Sequence, residues 1–186
     1  MAKLDHIQEA RKREEKLADG LWKVPDRLPF DEEYTEIETK RSVMKPFFAK
    51  WGSDAEKKFV EFLDSPHNSV SWWFKNGDRD AIFFAVPYKK GNGSAPFYVD
   101  FVLVMKDGSI GLLDPHGIHL ADFGAKSDGL QAYIAGMRKK GHKVFGGIVA
   151  NTNPRDYSGQ WMLYEGEGAK AKKDYWTDWR PLELSS

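Results

Sequence analysis

Apolar residues along this chain fall into short runs of two different periods. From Pro96 to Met105 aromatic and β-branched residues dominate. A turn signal, Lys106-Asp107-Gly108-Ser109, follows, and Ile110 to Leu113 resumes the apolar run before Asp114-Pro115-His116-Gly117. Two β-type runs joined by an Asp-Gly turn predict a hairpin. Upstream, Val70 to Phe74, ending at Asn76-Gly77, and Ala81 to Tyr88 predict two more strands, with Lys89 to Ser94 as a loop. Downstream, Val144 to Ala150 is almost wholly apolar, the pattern of a strand buried on both faces beside a parallel neighbour. Gln160 to Tyr164 predicts one further strand.

Helical spacing appears between these runs. Ser53 to Asp64 has a capping serine, Glu56 at the capping-box position, and an apolar stripe of Phe59, Phe62 and Leu63. Lys126 to Lys140 carries Leu130, Tyr133, Ile134 and Met137 on one face and is closed by Gly141. Ala2 to Leu17 reads as a heavily charged helix with sparse apolar positions, stopped near Gly20. Gly168 to Trp179 reads as a closing helix. Trp22 to Pro46 holds three prolines and little periodicity, so it predicts an extended arm wrapping the domain or a linker to something upstream. The fold class that follows is α/β: a mixed central β-sheet with a core antiparallel hairpin, flanked by helices. Residues 1–45 form an N-terminal extension and 46–186 the main domain.

Composition narrows this picture rather than redirecting it. A chain of 186 residues with 41% hydrophobic and 14% aromatic residues can bury a real core. No apolar run approaches the ~20 residues needed to span a bilayer. The charged first residues, Met1 to Lys16, carry no signal-peptide pattern. Cysteine is absent, which removes disulfides, thiolate zinc sites and thiol nucleophiles, and leads us to expect a cytoplasmic protein. The formal net charge of +0 argues against a dedicated nucleic-acid binder with a basic surface throughout, and leaves room only for a local basic face.

The chemistry lies in the hairpin. Asp100 sits among apolar neighbours in its first run and Asp114 at the end of its second. Acids embedded in strand-forming sequence are costly to desolvate, so the pair suggests a shared hard cation such as Mg²⁺; the bland alternative makes Asp100 an edge or bulge residue and Asp114 a turn-former before Pro115.

An acid on a first helix followed by acids on a hairpin resembles the PD-(D/E)XK nuclease superfamily. More narrowly, Ser53–Asp64, Val70–Asn76 and Val99-Asp100-Phe101-Val102, followed by Asp114–Asp122 and Lys126–Tyr133, resemble the C-terminal nuclease domain of type III restriction-type (Res) helicase subunits. The resemblance covers about residues 45–140. It implies a restriction-endonuclease-like fold that hydrolyses DNA phosphodiesters within a restriction or phage-defence helicase-nuclease system. It also implies Mg²⁺, replaceable by Mn²⁺, on Glu56, Asp100 and Asp114, and a polar helix position at Gln131. The implied partners are DNA and a helicase/ATPase region or subunit; the oligomeric state stays unassigned, and no motor ATPase is encoded here.

This chain departs from the pattern at His116, where lysine is usual. Three readings stay open: His116 serves as a base in its neutral form, Lys126 reaches back from the helix to supply the cation, or catalysis has been lost. The last would leave a nuclease-like DNA-binding or partner-docking module. A rival metal set is Asp114, His116 and His119 with Asp122 nearby, whose donors suit zinc or manganese. Trp72 and Trp73 alternate on a strand, so core packing is expected to outweigh base stacking. Lys89-Lys90, Arg138-Lys139-Lys140 and Lys170-Lys172-Lys173 are candidate phosphate contacts where they border the hairpin.

Overall fold

The computed structural model describes residues 6–10, 22–115, 121–168 and 176–185. Five short strands form the N-terminal arm: β1 (His6–Ala10), β2 (Arg27–Phe30), β3 (Thr35–Glu36), β4 (Met44–Lys45) and β5 (Phe48–Ala49). Helix α1 (Asp54–Leu63) and strand β6 (Val70–Lys75) follow, then a hairpin of β7 (Ala85–Lys90) and β8 (Gly93–Tyr98). The central hairpin is β9 (Phe101–Met105) and β10 (Ile110–Pro115). Helix α2 (Phe123–Lys139) leads to β11 (Val144–Asn151), β12 (Trp161–Tyr164) and β13 (Arg180–Pro181).

The main sheet has the order β13-β12-β11-β10-β9-β6. β10 and β11 are parallel, whereas β9 runs antiparallel to both β10 and β6. This is the expected mixed α/β architecture. Alternation along the strands sorts side chains onto two faces. Phe101, Leu103 and Trp73 pack with Phe59 and Leu63 of α1. Val102, Leu112, Trp72 and Phe74 pack with Leu130 and Ile134 of α2. One helix thus covers each face, and a fully buried Phe or Leu in either layer contributes about 1.5–3 kcal/mol. Trp72 and Trp73 are 3% and 0% exposed, so neither is open to a nucleic-acid base.

Local chemistry sets the helix ends. The Ser53 hydroxyl accepts the Glu56 N–H at 3.3 Å, and α2 ends before Gly141, whose φ of +90° suits a residue without a Cβ. At the C-cap of α1, the Asp64 carboxylate accepts Trp73 Nε1–H at 2.8 Å and the backbone N–H groups of Lys40 and Arg41 at 2.7 and 3.2 Å. One acid thereby ties α1, β6 and the arm together.

Four expectations are corrected. Residues His6–Ala10 form a strand, not a helix, pairing with β2 on one side and β4 on the other; sparse apolar positions gave a helix no face to bury, whereas the arm satisfies the backbone groups. The strand expected at Ala81 begins at Ala85 and runs on through Lys90, so only Gly91 and Asn92 turn. The run from Pro96 to Met105 is two strands in different sheets, broken at Val99 and Asp100. The Asn76 carboxamide stitches that break: its Nδ2 donates to the carbonyls of Phe84 and Val99 at 2.7 and 2.9 Å, and its Oδ1 accepts the Phe84 N–H at 3.1 Å. Finally, the described end of the expected closing helix is a single 3-10 turn, Trp176–Asp178, followed by β13; residues 169–175 lie outside the described set. The predicted helix at Ser53, the parallel strand at Val144 and the central hairpin are all present, and among the described residues no helix is long and apolar enough to cross a membrane.

Candidate active site

The β9–β10 register brings the two hairpin acids together. Leu113 lies opposite Phe101, so the next step of the antiparallel ladder sets Asp114 against Asp100. The Asp100 backbone N–H donates to Asp114 Oδ1 at 3.1 Å. Asp114 is 2% exposed, whereas Asp100 keeps one edge open to a cleft. Asp114 is also the penultimate residue of β10, at the carboxyl end of the parallel β10–β11 pair, the part of an open α/β sheet where ligand crevices form.

Electrostatics follow from this enclosure. Burial pushes the Asp100 carboxyl from the ordinary 3.8 up to about 7, with Lys75 opposing the rise, Glu56 adding to it and Lys126 opposing it. Burial holds Asp114 well above the usual carboxylate range, and the charge of Asp100 adds to that. Two enclosed carboxylates facing each other resist double ionisation.

Glu56 and Lys75 reach the same place from the other face of the sheet. Lys75 lies two residues beyond Trp73 and shares its side of β6. Its Nζ stands 5.9 Å from the Phe101 ring centroid and 2.7 Å from Glu56 Oε2, in a pair whose side chains are only 17% and 14% exposed. Breaking so dehydrated a pair leaves an uncompensated charge. A Cβ on Gly52 would fall 2.7 Å from Glu56 Oε1, so the carboxylate folds back over that residue rather than completing a capping box. Glu56, Lys75, Asn76, Tyr98 and Asp100 all line one cleft of about 290 Å³, walled on one side by the arm. A larger depression of about 810 Å³ lies between the β7–β8 hairpin and α2. Its acid, Asp128, accepts the Gly168 N–H at 2.6 Å, and the acid and lysine that line it, Asp128 and Lys89, are both exposed, so the smaller cleft, with its enclosed carboxylate, carries the chemistry.

The expected site residues are therefore distributed as follows. Asp100 and Asp114 are brought into contact, and Glu56 into the same cleft with its carboxylate turned to Lys75. Lys126 stands 3.1 Å from Asp122 and 5.2 Å from the Phe97 ring centroid, close enough for its charge to lower both acids. Gln131 donates to the Gly146 carbonyl at 2.9 Å and so ties α2 to β11. His116 and His119 lie outside the described residues. Among the described residues no three His, Asp or Glu side chains stand together as a metal-holding group. Lys75 was missed by sequence reasoning. Its signal was available in Val70-Ser71-Trp72-Trp73-Phe74-Lys75, where alternation puts the lysine on the α1 side at the strand's end.

Fold and site together define an α/β protein with a helix on each sheet face and a buried carboxylate pair opening into a lysine-bearing cleft. The chain belongs to the YagJ family, whose model matches residues 34–156. That span takes in the later part of the arm, both helices and the sheet through β11. No curated protein and no solved structure matches the chain.

Proposed function

We propose that this chain is a cytoplasmic, metal-dependent hydrolase of DNA phosphodiesters, working with a helicase/ATPase partner in restriction or defence. The observation that supports this reading is the contact of Asp100 with Asp114 at the wall of a cleft that also holds Glu56 and Lys75. Carboxylate oxygens are the hard donors that Mg²⁺ or Mn²⁺ prefers, and magnesium takes only one or two protein carboxylates, with water and phosphate completing its shell. The donor set fits: Asp100 and Asp114 would hold the ion, while Glu56 lines the same cleft with its carboxylate on Lys75. When bound, the ion supplies Lewis acidity toward a phosphoryl oxygen.

The chain's own residues account for the rest. The end of β6 presents the Lys75 ammonium to the cleft, where it offsets charge on a non-bridging phosphate oxygen. Lys126 adds positive potential from the α2 side. His116 remains the candidate base for the attacking water. Gln131 keeps α2 on β11 and has a positioning role rather than a phosphate contact.

One observation favours a second reading. The 2.7 Å pairing of Glu56 with Lys75 satisfies both charges without ligand, as a nuclease-like module retained only for DNA binding or partner docking would allow. Incubation with linear, circular and single-stranded DNA under Mg²⁺, Mn²⁺ and EDTA separates the two. Cleavage that needs metal and is lost in Asp100→Asn and Asp114→Asn supports the hydrolase. DNA binding with no cleavage under any metal supports the module.

A further inference from the structure

We propose that the cleft at Asp100 takes one unpaired nucleotide, which makes single-stranded DNA the substrate class. This rests on the hydrolase reading for its chemistry, but it is carried by the shape and lining of the cleft.

The volume, about 290 Å³, is at the small end of ligand pockets, which run from roughly 300 Å³ upward. That is room for a nucleotide and too little for stacked pairs. Three partly exposed aromatic side chains line it: Tyr34 from the arm, Phe83 from the connection after β6, and Tyr98 at the end of β8. They contrast with the core aromatics, Trp73, Phe74, Phe59 and Phe101, which are fully buried. A ring at such a site can stack on a base only when that base has left its neighbours in the duplex.

Two of the three rings are held by their neighbours. Phe83 lies so close over Gly77 that a Cβ there would fall 2.4 Å from its ring, and Tyr34 packs on Phe30 with centroids 4.8 Å apart. The polar lining beside them separates backbone from base. Lys75 and Lys50 line the cleft, each paired with an acid, Glu56 and Glu33 respectively, and would exchange that acid for phosphate when a strand binds. The Asn76 carboxamide, which could read a base edge, is consumed by its three bonds to Phe84 and Val99. Recognition is then by stacking and charge, which tolerates sequence.

The test is fluorescence anisotropy in EDTA with a labelled oligo-dT strand and a blunt duplex of equal length. The single strand should bind at least about tenfold more tightly than the duplex. Tyr34→Ala and Tyr98→Ala should each weaken it by about 5- to 100-fold, the worth of one base–aromatic stack, whereas Tyr34→Phe and Tyr98→Phe should bind like the unmodified protein. Tyr98→Leu fills the space without a π face and should be as weak as the alanine variant, so a packing defect cannot imitate the result. Duplex binding as tight as single-strand binding would overturn the proposal, as would Tyr98→Leu and Tyr34→Ala variants that bind the strand normally. Single-strand binding through these rings without cleavage in Mg²⁺ or Mn²⁺ would sink the hydrolase reading and leave this one standing. Duplex cleavage undiminished by the ring variants would do the reverse.

Discussion

Asp100→Asn should make this protein more stable at neutral and alkaline pH. The Asp100 carboxyl has a folded pKa of about 7 against an ordinary 3.8, chiefly through burial. The folded state therefore holds a proton that the unfolded chain releases between about pH 4 and 7. A raised carboxyl pKa makes stability greatest in acid, where both states are protonated, and that stability is lost progressively as pH rises to the folded value and stays lost above it. A rise from 3.8 to about 7, at about 1.36 kcal/mol per pH unit, gives a loss of about 4 kcal/mol. Asparagine carries no charge, and the backbone N–H that Asp114 accepts is unchanged. Asp114 gains as well, because the charge of Asp100 is one cause of its own raised pKa. The assay is urea denaturation of both proteins in EDTA at about pH 5 and about pH 8. The variant's midpoint should lie above the unmodified protein's at the higher pH, and the gap should narrow by about 2–3 kcal/mol at the lower, where most Asp100 is protonated in the fold. A gap that is independent of pH would refute the reasoning, since the folded carboxyl would then titrate like one in water.

Three further outcomes follow, one from the same site and two from elsewhere in the fold. Mg²⁺ at about pH 8 should raise the thermal transition, by about 2.7 kcal/mol of stability at a hundredfold excess over its dissociation constant; Asp114→Asn should abolish the rise in calorimetry, and an undiminished rise would place the ion elsewhere. Trp73→Phe keeps most of the buried ring but removes the 2.8 Å bond to Asp64, and should cost about 1–3 kcal/mol by urea titration; a loss under about 0.5 kcal/mol, small against that range, would mean that the arm and α1 do not depend on this link. Gly146→Ala should prevent folding or cost more than about 3 kcal/mol, because φ there is +146° and a Cβ would fall 1.9 Å from the Leu112 carbonyl oxygen; a normally melting variant would contradict the β10–β11 register.

The parts legible in the sequence were those specified by local pattern. Ser53, Phe59 and Leu63 announce α1 because capping and periodicity act within a few residues. The Asp-Gly turn fixes the β9–β10 hairpin, and with it the meeting of Asp100 and Asp114. What stayed hidden was decided at a distance. Whether 6–10 became strand or helix depended on edges offered by β2 and β4, about twenty and thirty-five residues on. The break at Val99 depended on a carboxamide from residue 76. Lys75 was legible as a residue on a strand but not as a member of the site, because only the stacking of α1 on that face of the sheet brings Glu56 beside it. The pattern around the hairpin points to a cation near the hairpin's own end, at His116 or Lys126, and a cation arriving from a neighbouring strand leaves no mark in it.

That distribution of charge bears on what the site needs. A domain of this size has on the order of 5–15 kcal/mol of net stability, so about 4 kcal/mol forgone at one carboxylate is a large concession. Apolar residues at 100 and 114 would continue the ladders of β9 and β10 without it. The two nearby lysines do not remove the cost: Lys75 stands against Glu56 and Lys126 against Asp122, and with both in place Asp100 and Asp114 still titrate high. A cation that arrives with the substrate would favour the ionised forms of both acids at once. The stability lost on deprotonation would return as binding free energy, and affinity for such an ion should therefore climb with pH through about 7, where Asp100 ionises.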